Sequence, residues 1–374
     1  MGKRKMLTLA RKGVRDVPVW PAGRPVEELQ AELGLEELAM MASNENPIGP
    51  SPKAMEAVRR ELGRVHLYPD GSCAALRRAL GQRLGVGAEQ IVVGNGGDNC
   101  LRMIGAAFVE EGDEVLMGDP TFPVYGMTTR IMGGQPVRVP LREYCHDLHS
   151  MGQRLSPRTK LVFVGNPNNP TGTIVHRADL QQLLRKLPDS ALLVLDEAYF
   201  EFVADPDYPN GLEYVRAGAN VIVLRTFSKL YGLAGLRVGY LVARREIAEI
   251  LVRVREPYTV SRVAQAAALA ALEDGEFRSR VLSENASSME FLHRELGRLG
   301  LPHAPSHTNF LFVDLGRDAA EVADRLLARG FLIRTGAAWN LPTWARITAG
   351  TMEQNRRFVQ ALEEILGGDG RLGG

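Results

Sequence analysis

The sequence predicts an α/β protein built on a doubly wound, mostly parallel sheet, with a smaller α+β domain following it. Strand and helix patterns alternate from about residue 52 to 260. Several strands are continuous apolar runs, such as residues 191–195, which suits strands covered on both faces. Turns rich in Gly, Asn and Pro follow those strands. At 374 residues the chain is long enough for a large core and two domains.

The first helix of the alternation is predicted over Pro52–Leu62. Residues 90–93 form a strand that runs into the glycine turn GNGGDN, after which Leu101, Ile104, Gly105 and Phe108 recur at helical spacing. Residues 161–164 are a strand ending in NPNNPTG, and residues 221–224 are a strand leading into TFSKLYGLAGLRVGY. A helix-rich stretch with closely spaced alanines, residues 264–298, reads as a long connection into the second domain. Beyond it, TNFLFV reads as a strand and residues 319–329 as a helix. The small domain is expected to take in the N-terminal segment, which makes it discontinuous. There is no internal repeat and no long low-complexity linker.

Composition excludes several function classes. The formal charge is +1, from 45 basic and 44 acidic residues, so nothing argues for a nucleic-acid surface. Cys73, Cys100 and Cys145 are scattered, give no disulfide framework and suggest a reducing cytoplasm. Cys100, next to the glycine turn, reads as a buried structural thiol. No apolar run reaches the roughly 18 residues of a membrane span. Lys3, Arg4, Lys5, Arg11, Lys12 and Arg15 make the first fifteen residues basic; without a serine the stretch reads as a mobile arm rather than a transit peptide. GGDGRLGG reads as a disordered tail. His146 with His149, and His303 with His307, are read as surface or loop histidines rather than metal ligands, the latter pair because Pro305 interrupts any helix between them.

Lys229 follows the hydroxyl residue Ser228 and precedes Arg237 by eight residues. That spacing suits an amine for an aldehyde and a fixed cation for a phosphate, the two requirements of pyridoxal 5'-phosphate. Taken alone, Lys229 reads as one more solvated surface lysine. The neighbouring motifs argue otherwise. Asp196 directly follows an apolar run, at the carboxyl end of a strand, where α/β sheets bind ligands. Buried there it needs a partner, and a protonated ring nitrogen is one. Tyr199, three residues on, could reach the ring's phenolic oxygen. The competing reading has Asp196 capping the next helix and Tyr199 packing in the core. Asn169, at the centre of NPNNPTG, can donate its amide to a phenolate oxygen. The glycines of GNGGDN let backbone N–H groups approach a phosphate at a helix N-terminus. GNGGDN is not a dinucleotide fingerprint, because the third glycine of G-x-G-x-x-G is missing.

Taken together and in order, SNENPIGPSPKA, HLYPDGSCAALRRAL, GNGGDN, DPTFPVYG, NPNNPTG, DEAYFEF, TFSKLYGLAGLRVGY, TNFLFV and ARITAGT span residues 43–351. They resemble the fold type I pyridoxal-phosphate-dependent aminotransferases of class II, and within them the histidinol-phosphate aminotransferase branch. The resemblance implies a large domain over residues 46–270 with a mostly parallel seven-stranded sheet between helices. It also implies a small C-terminal α+β domain over 271–374, and an arm over 1–45 that contributes to the small domain. Lys229 would bond the cofactor aldehyde, Asp196 would meet the ring nitrogen, Tyr199 and Asn169 would flank the phenolic oxygen, and Phe122 would cover the ring face. Thr226, Ser228 and Arg237, with the backbone at Gly96, Gly97 and Asp98, would hold the phosphate. Tyr68 of YPDG would reach that phosphate from the neighbouring subunit, giving a homodimer with shared sites.

On the substrate side, Arg346 matches the arginine that grips the α-carboxylate, where its fork geometry matters. Arg334, twelve residues earlier, matches the arginine that reads the substrate's phosphate. The pair is expected to hold an anion at each end of the substrate, with Trp20 and Asn46 completing that side. The chain departs from the family pattern at Asn99, where a glutamate is common, at Thr259 and Ser261, where asparagines are usual, and at Trp20, which replaces a tyrosine. These changes fall more on the substrate side than on the cofactor side.

The activity implied is transamination by Lys229 acting as acid and base, with L-histidinol phosphate as donor and 2-oxoglutarate as acceptor, giving imidazole acetol phosphate and L-glutamate. Three rivals follow from the same residues: an aromatic amino-acid aminotransferase, a decarboxylase of a phospho-amino acid such as threonine phosphate, and a cofactor-sensing DNA-binding regulator. About forty residues precede SNENP without a helix-turn-helix pattern, which counts against the last.

Overall fold

The computed structural model describes residues 8–15, 17–19 and 25–368. Trp20, the Lys3–Lys5 part of the basic arm, and GGDGRLGG from residue 369 onward lie outside the described residues; the helix Met352–Gly368 takes up that motif's first two glycines.

Seven strands form the main sheet: β2 (Ile91–Gly94), β3 (Glu114–Asp119), β4 (Gln135–Pro140), β5 (Thr159–Gly165), β6 (Leu192–Asp196), β7 (Val221–Thr226) and β8 (Gly239–Ala243). Their order is β2-β8-β7-β6-β5-β3-β4, and β8 alone runs against the others. Alternation along the strands explains the continuous apolar runs. Val162, Val164, Leu193, Leu195, Val221 and Val223 pack on one face, while Leu161, Phe163, Leu192, Val194, Ile222 and Leu224 pack on the other. With helices on both sides, each strand must be apolar at every position.

A second sheet has the order β1-β10-β11-β9, from β1 (Ala39–Met41), β9 (Phe310–Asp314), β10 (Phe331–Thr335) and β11 (Trp344–Thr348). β1 pairs in parallel with β10, so a strand preceding the large sheet belongs to the small one. Its own core gathers Met41, Leu292, Leu296, Leu311, Val313, Ile333, Ile347 and Phe358.

Several expectations are sharpened. The helix-rich stretch is two helices, Arg262–Leu272 and Gly275–Arg298, because Asp274 caps the second by accepting from Phe277 N–H at 3.3 Å. The alanine pattern hides this break, since small residues pack either way. The later helix ends at Leu327, where the chain turns toward Gly330 at φ +84°. His146 is a correction to the surface reading. It is 6% exposed, packs where a Cβ on Gly118 would lie 2.3 Å from its Nδ1, and burial pushes its pKa down to about 4. Cys100 is fully buried, as expected of a structural thiol, and among the described residues no group of three or more side chains could hold a metal.

Candidate active site

The carboxyl ends of the parallel strands converge on one cavity of about 450 Å³. β2 leads through Asn95 to Gly97 and Asp98, β3 to Phe122, β5 to Asn169, β6 ends on Asp196, and β7 ends on Thr226, two residues before Ser228. Across the cavity stand Ser43 and Asn44 of the SNENP loop, Arg334 of β10, Trp339, and Arg346 of β11. The site therefore lies between the two sheets.

Lys229 Nζ donates to the Ser43 carbonyl at 3.1 Å, and burial, with Arg346 nearby, brings its pKa down to about 8. Asp196 is 7% exposed. Its Oδ2 accepts from Tyr125 Oη at 2.8 Å and its Oδ1 from Ala198 N–H at 3.1 Å, yet burial pushes its pKa up to about 6. A carboxylate supplied with two neutral donors and no cation is what a protonated ring nitrogen would complete. The helix-cap reading of Asp196 resolves into a bond to Ala198 N–H, and the segment after it is only a short 3₁₀ turn, Phe200–Phe202.

The helix Gly96–Phe108 opens on this cavity with no side-chain cap at Asn95. Its first N–H groups are thus left for an anion. Gly96 sits at φ +79°, and a Cβ there would lie 2.5 Å from the Arg237 guanidinium, so glycine is required twice over. Arg237 Nη2 pairs with Asp98 Oδ2 at 3.2 Å, and Thr226 Oγ1 bonds Ser228 Oγ at 3.0 Å. These groups together could hold a phosphate. The residues present fit pyridoxal 5'-phosphate at both its ends.

On the opposite wall Arg346 is buried between the rings of Phe310 and Trp339, 5.4 and 5.6 Å from their centroids. Its Nη1 donates to Asn169 Oδ1 and its Nη2 to the Ala42 carbonyl, both at 2.6 Å, while its Nε is buried with no partner among the described residues. Burial lowers its pKa to about 10, and the charge of Arg334 adds to that. Arg334 stands directly across from Arg346 in the β10–β11 pairing. Like charges at facing strand positions are unfavourable, which makes this a place suited to an anion. The expected arrangement of one cation at each end of the substrate becomes two cations side by side.

The sequence profile of the family "Aminotransferase class I and II" matches residues 36–362. The chain belongs to the class I and II aminotransferases. It is 48% identical to a histidinol-phosphate aminotransferase of Moorella thermoacetica over 357 residues, covering 95% of this chain and 92% of that one. It is 41% identical to the one of Caldicellulosiruptor saccharolyticus over 356 residues, covering 95% and 99%. The structure of the Sinorhizobium meliloti histidinol-phosphate aminotransferase in complex with pyridoxal-5'-phosphate superposes with a TM-score of 0.87 at 31% identity, covering 98% of each chain. The fold type I architecture read from the motifs is thereby borne out.

In this aminotransferase not every expected residue lines the cavity. Asn46 is turned away, donating to the Leu230 carbonyl at 3.0 Å and accepting from Ile48 N–H at 3.0 Å. Tyr68 is 79% exposed and stacks on Tyr258 at 4.6 Å, outside the cavity of its own chain. Two departures from the family pattern meet: Thr259 Oγ1 donates to Asn99 Oδ1 at 3.4 Å, and Asn99 Oδ1 also accepts from Asn95 N–H at 3.0 Å. Ser261 caps the helix Arg262–Leu272. The motif reading missed Asn44, Tyr125 and Trp339. Tyr125 stacks on Phe163 at 4.7 Å while its hydroxyl reaches Asp196, and Trp339 Nε1 donates to the Thr121 carbonyl at 3.1 Å. A buried tyrosine needs a partner for its hydroxyl, which is the one signal that could have singled out Tyr125.

Proposed function

We propose that this aminotransferase carries the amino group of L-histidinol phosphate to 2-oxoglutarate through pyridoxal 5'-phosphate, in a ping-pong cycle. The observation that carries this reading is the facing pair Arg334 and Arg346 on the wall opposite Lys229 and Asp196. Histidinol phosphate bears a phosphate monoester where an amino acid bears its α-carboxylate, and a dianion there suits two guanidiniums. A free aromatic amino acid offers the pair one negative charge instead of two. The 48% identity to a relative named for this reaction supports the same assignment.

The cofactor supplies an electron sink for charge developing at the substrate's Cα. The chain's own groups do the rest. Asp196 would keep the ring nitrogen protonated, Phe122 would cover the ring face, and Tyr199 with Asn169 would stand at the phenolic oxygen. The backbone at Gly96, Gly97 and Asp98, with Thr226, Ser228 and Arg237, would hold the phosphate. Lys229 Nζ takes the proton from Cα, and a pKa near 8 leaves part of it neutral at physiological pH.

The working form is a homodimer, in which Tyr68 enters the partner's site. Supporting this, Leu62, Val65, Leu67, Tyr68 and Tyr258 are all exposed, an apolar set of the kind that marks an interface. No described helix is long and apolar enough to cross a membrane, and Cys73, Cys100 and Cys145 are unpaired, which supports a cytoplasmic location. The deciding measurement is kcat/KM for histidinol phosphate against phenylalanine and tyrosine. Histidinol phosphate should lead by more than tenfold, and a preference for the free aromatic amino acids overturns the assignment.

A further inference from the structure

Asn44 lies in the SNENP loop, is 1% exposed, and holds a left-handed backbone at φ 56°. Four hydrogen bonds keep it there. Its N–H donates to Thr348 Oγ1 at 3.0 Å, and its carbonyl accepts from Asn309 Nδ2 at 3.2 Å. Its Oδ1 accepts from Thr348 Oγ1 at 3.0 Å, and its Nδ2 donates to Tyr199 Oη at 2.8 Å. A strained residue secured from both the turn that follows β6 and the strand β11 has the character of a functional constraint.

Thr348 Oγ1 accepts the Asn44 backbone N–H and gives its own proton to Asn44 Oδ1, which leaves Nδ2 facing Tyr199. That fixes which end of the carboxamide faces Tyr199 and makes the phenol oxygen an acceptor. Tyr199 has no acceptor for its own proton among the described residues. Around it stand Phe310, edge-on at 5.1 Å, and Lys229 Nζ, 5.7 Å above the ring, with the charges of Arg346 and Asp196 beyond. None of these accepts from Oη.

We infer that Asn44 is a positioning residue: by donating to Tyr199 Oη it obliges the phenol to present its proton to the cavity, toward the cofactor's phenolic oxygen. Thr348, two residues from Arg346 on β11, ties that direction to the strand that meets the substrate anion. The inference rests on the cofactor reading above.

Two variants separate the amide from the backbone it stabilises. N44G keeps the left-handed conformation and deletes the carboxamide. N44D keeps the shape but can only accept, so it turns the Tyr199 proton away from the cavity. A donor on the phenolic oxyanion favours the deprotonated chromophore, so losing it raises the pH midpoint of the visible absorbance change in the cofactor-loaded protein. Both variants should raise that midpoint by about one unit, a tenfold change in the ratio of the two forms and about the net worth of one hydrogen bond. Y199F should raise it as much, with N44G adding nothing further in the Y199F background. In cofactor-free protein labelled with [ζ-13C]tyrosine, N44G should raise the ionisation pH of the Tyr199 phenol, a readout independent of activity. Midpoints for N44G and N44D within about 0.2 unit of the parent, alongside a moved Y199F, overturn the role of Asn44 alone. An unmoved Y199F removes Tyr199 from the cofactor and takes down this inference together with the placement beneath it.

Discussion

Behind the site, Arg225 and Glu197 form an ion pair at 2.8 Å whose side chains are 4% and 1% exposed. They sit immediately beside Asp196 and Thr226, so the pair braces the ends of β6 and β7 on which the cofactor residues stand. Arg225 also donates to Asn210 Oδ1 at 3.1 Å and lies 3.7 Å over the Phe200 ring. R225M would keep the packing volume and remove the charge. Glu197 would retain only the Gly211 N–H bond at 2.7 Å, and Glu201, already pushed up to about 7 by burial, would lose its nearest cation. Leaving one member of a buried pair uncompensated costs about 3–5 kcal/mol. With an unfolding entropy of about 2.1 cal/mol/K per residue over 374 residues, that cost is a fall in Tm of roughly 4–6 °C. The pH dependence has a definite sign. Burial already raises the Glu197 pKa, and without Arg225 it rises further. A carboxyl with a raised folded pKa destabilises increasingly as pH climbs from its unfolded value of about 4.3 through the folded one. The deficit should therefore be larger at pH 8 than at pH 5, and E197Q in the R225M background should recover part of it. Calorimetry at both pH values with the cofactor at fixed concentration measures this. A fall below about 1 °C, or a deficit equal at the two pH values, refutes the argument.

Three further predictions follow from the site. In cofactor-free protein, acylation of Lys229 should rise with a midpoint near pH 8, and R346Q should move it upward; a midpoint at the ordinary lysine value contradicts the desolvated amine. R334Q should raise KM for histidinol phosphate by roughly 10- to 100-fold, the worth of a charge-assisted bond, with a smaller effect on the glutamate half-reaction. Equal losses for both substrates would show that Arg334 does not read the dianion. Mixing inactive K229A chains with Y68F chains should restore activity, because one hybrid site then combines a native Lys229 with a native Tyr68; no gain on mixing argues against a site shared between subunits.

The fold of this aminotransferase, and which strand ends meet at the cavity, were legible in the chain because their signals are local. An apolar strand followed by a turn is a contiguous pattern, and β2, β5, β6 and β7 each carry a cavity-lining residue within a few positions of the strand end. Lys229, Asp196, Asn169 and Gly96 could therefore be read with their neighbours. The break at Asp274 was hidden because alanines pack equally well in one long helix or two. Nothing in SNENP distinguishes an asparagine that closes a turn from one that lines a cavity, and in the structure Asn46 closes the turn while Asn44 lines the cavity.

By itself, then, the sequence determined which strands would be buried, which turns would follow them and which side chains could hold a phosphorylated ring. Only the tertiary structure decided the relations across elements. Arg334 stands beside Arg346 because β10 pairs antiparallel with β11, Tyr125 reaches Asp196 from another strand's helix, and Asn44 bonds both Tyr199, 155 positions on, and Thr348, 304 positions on. The physical reason is that side-chain direction along one element follows from its period, whereas register and crossing between distant elements emerge only when the whole core packs.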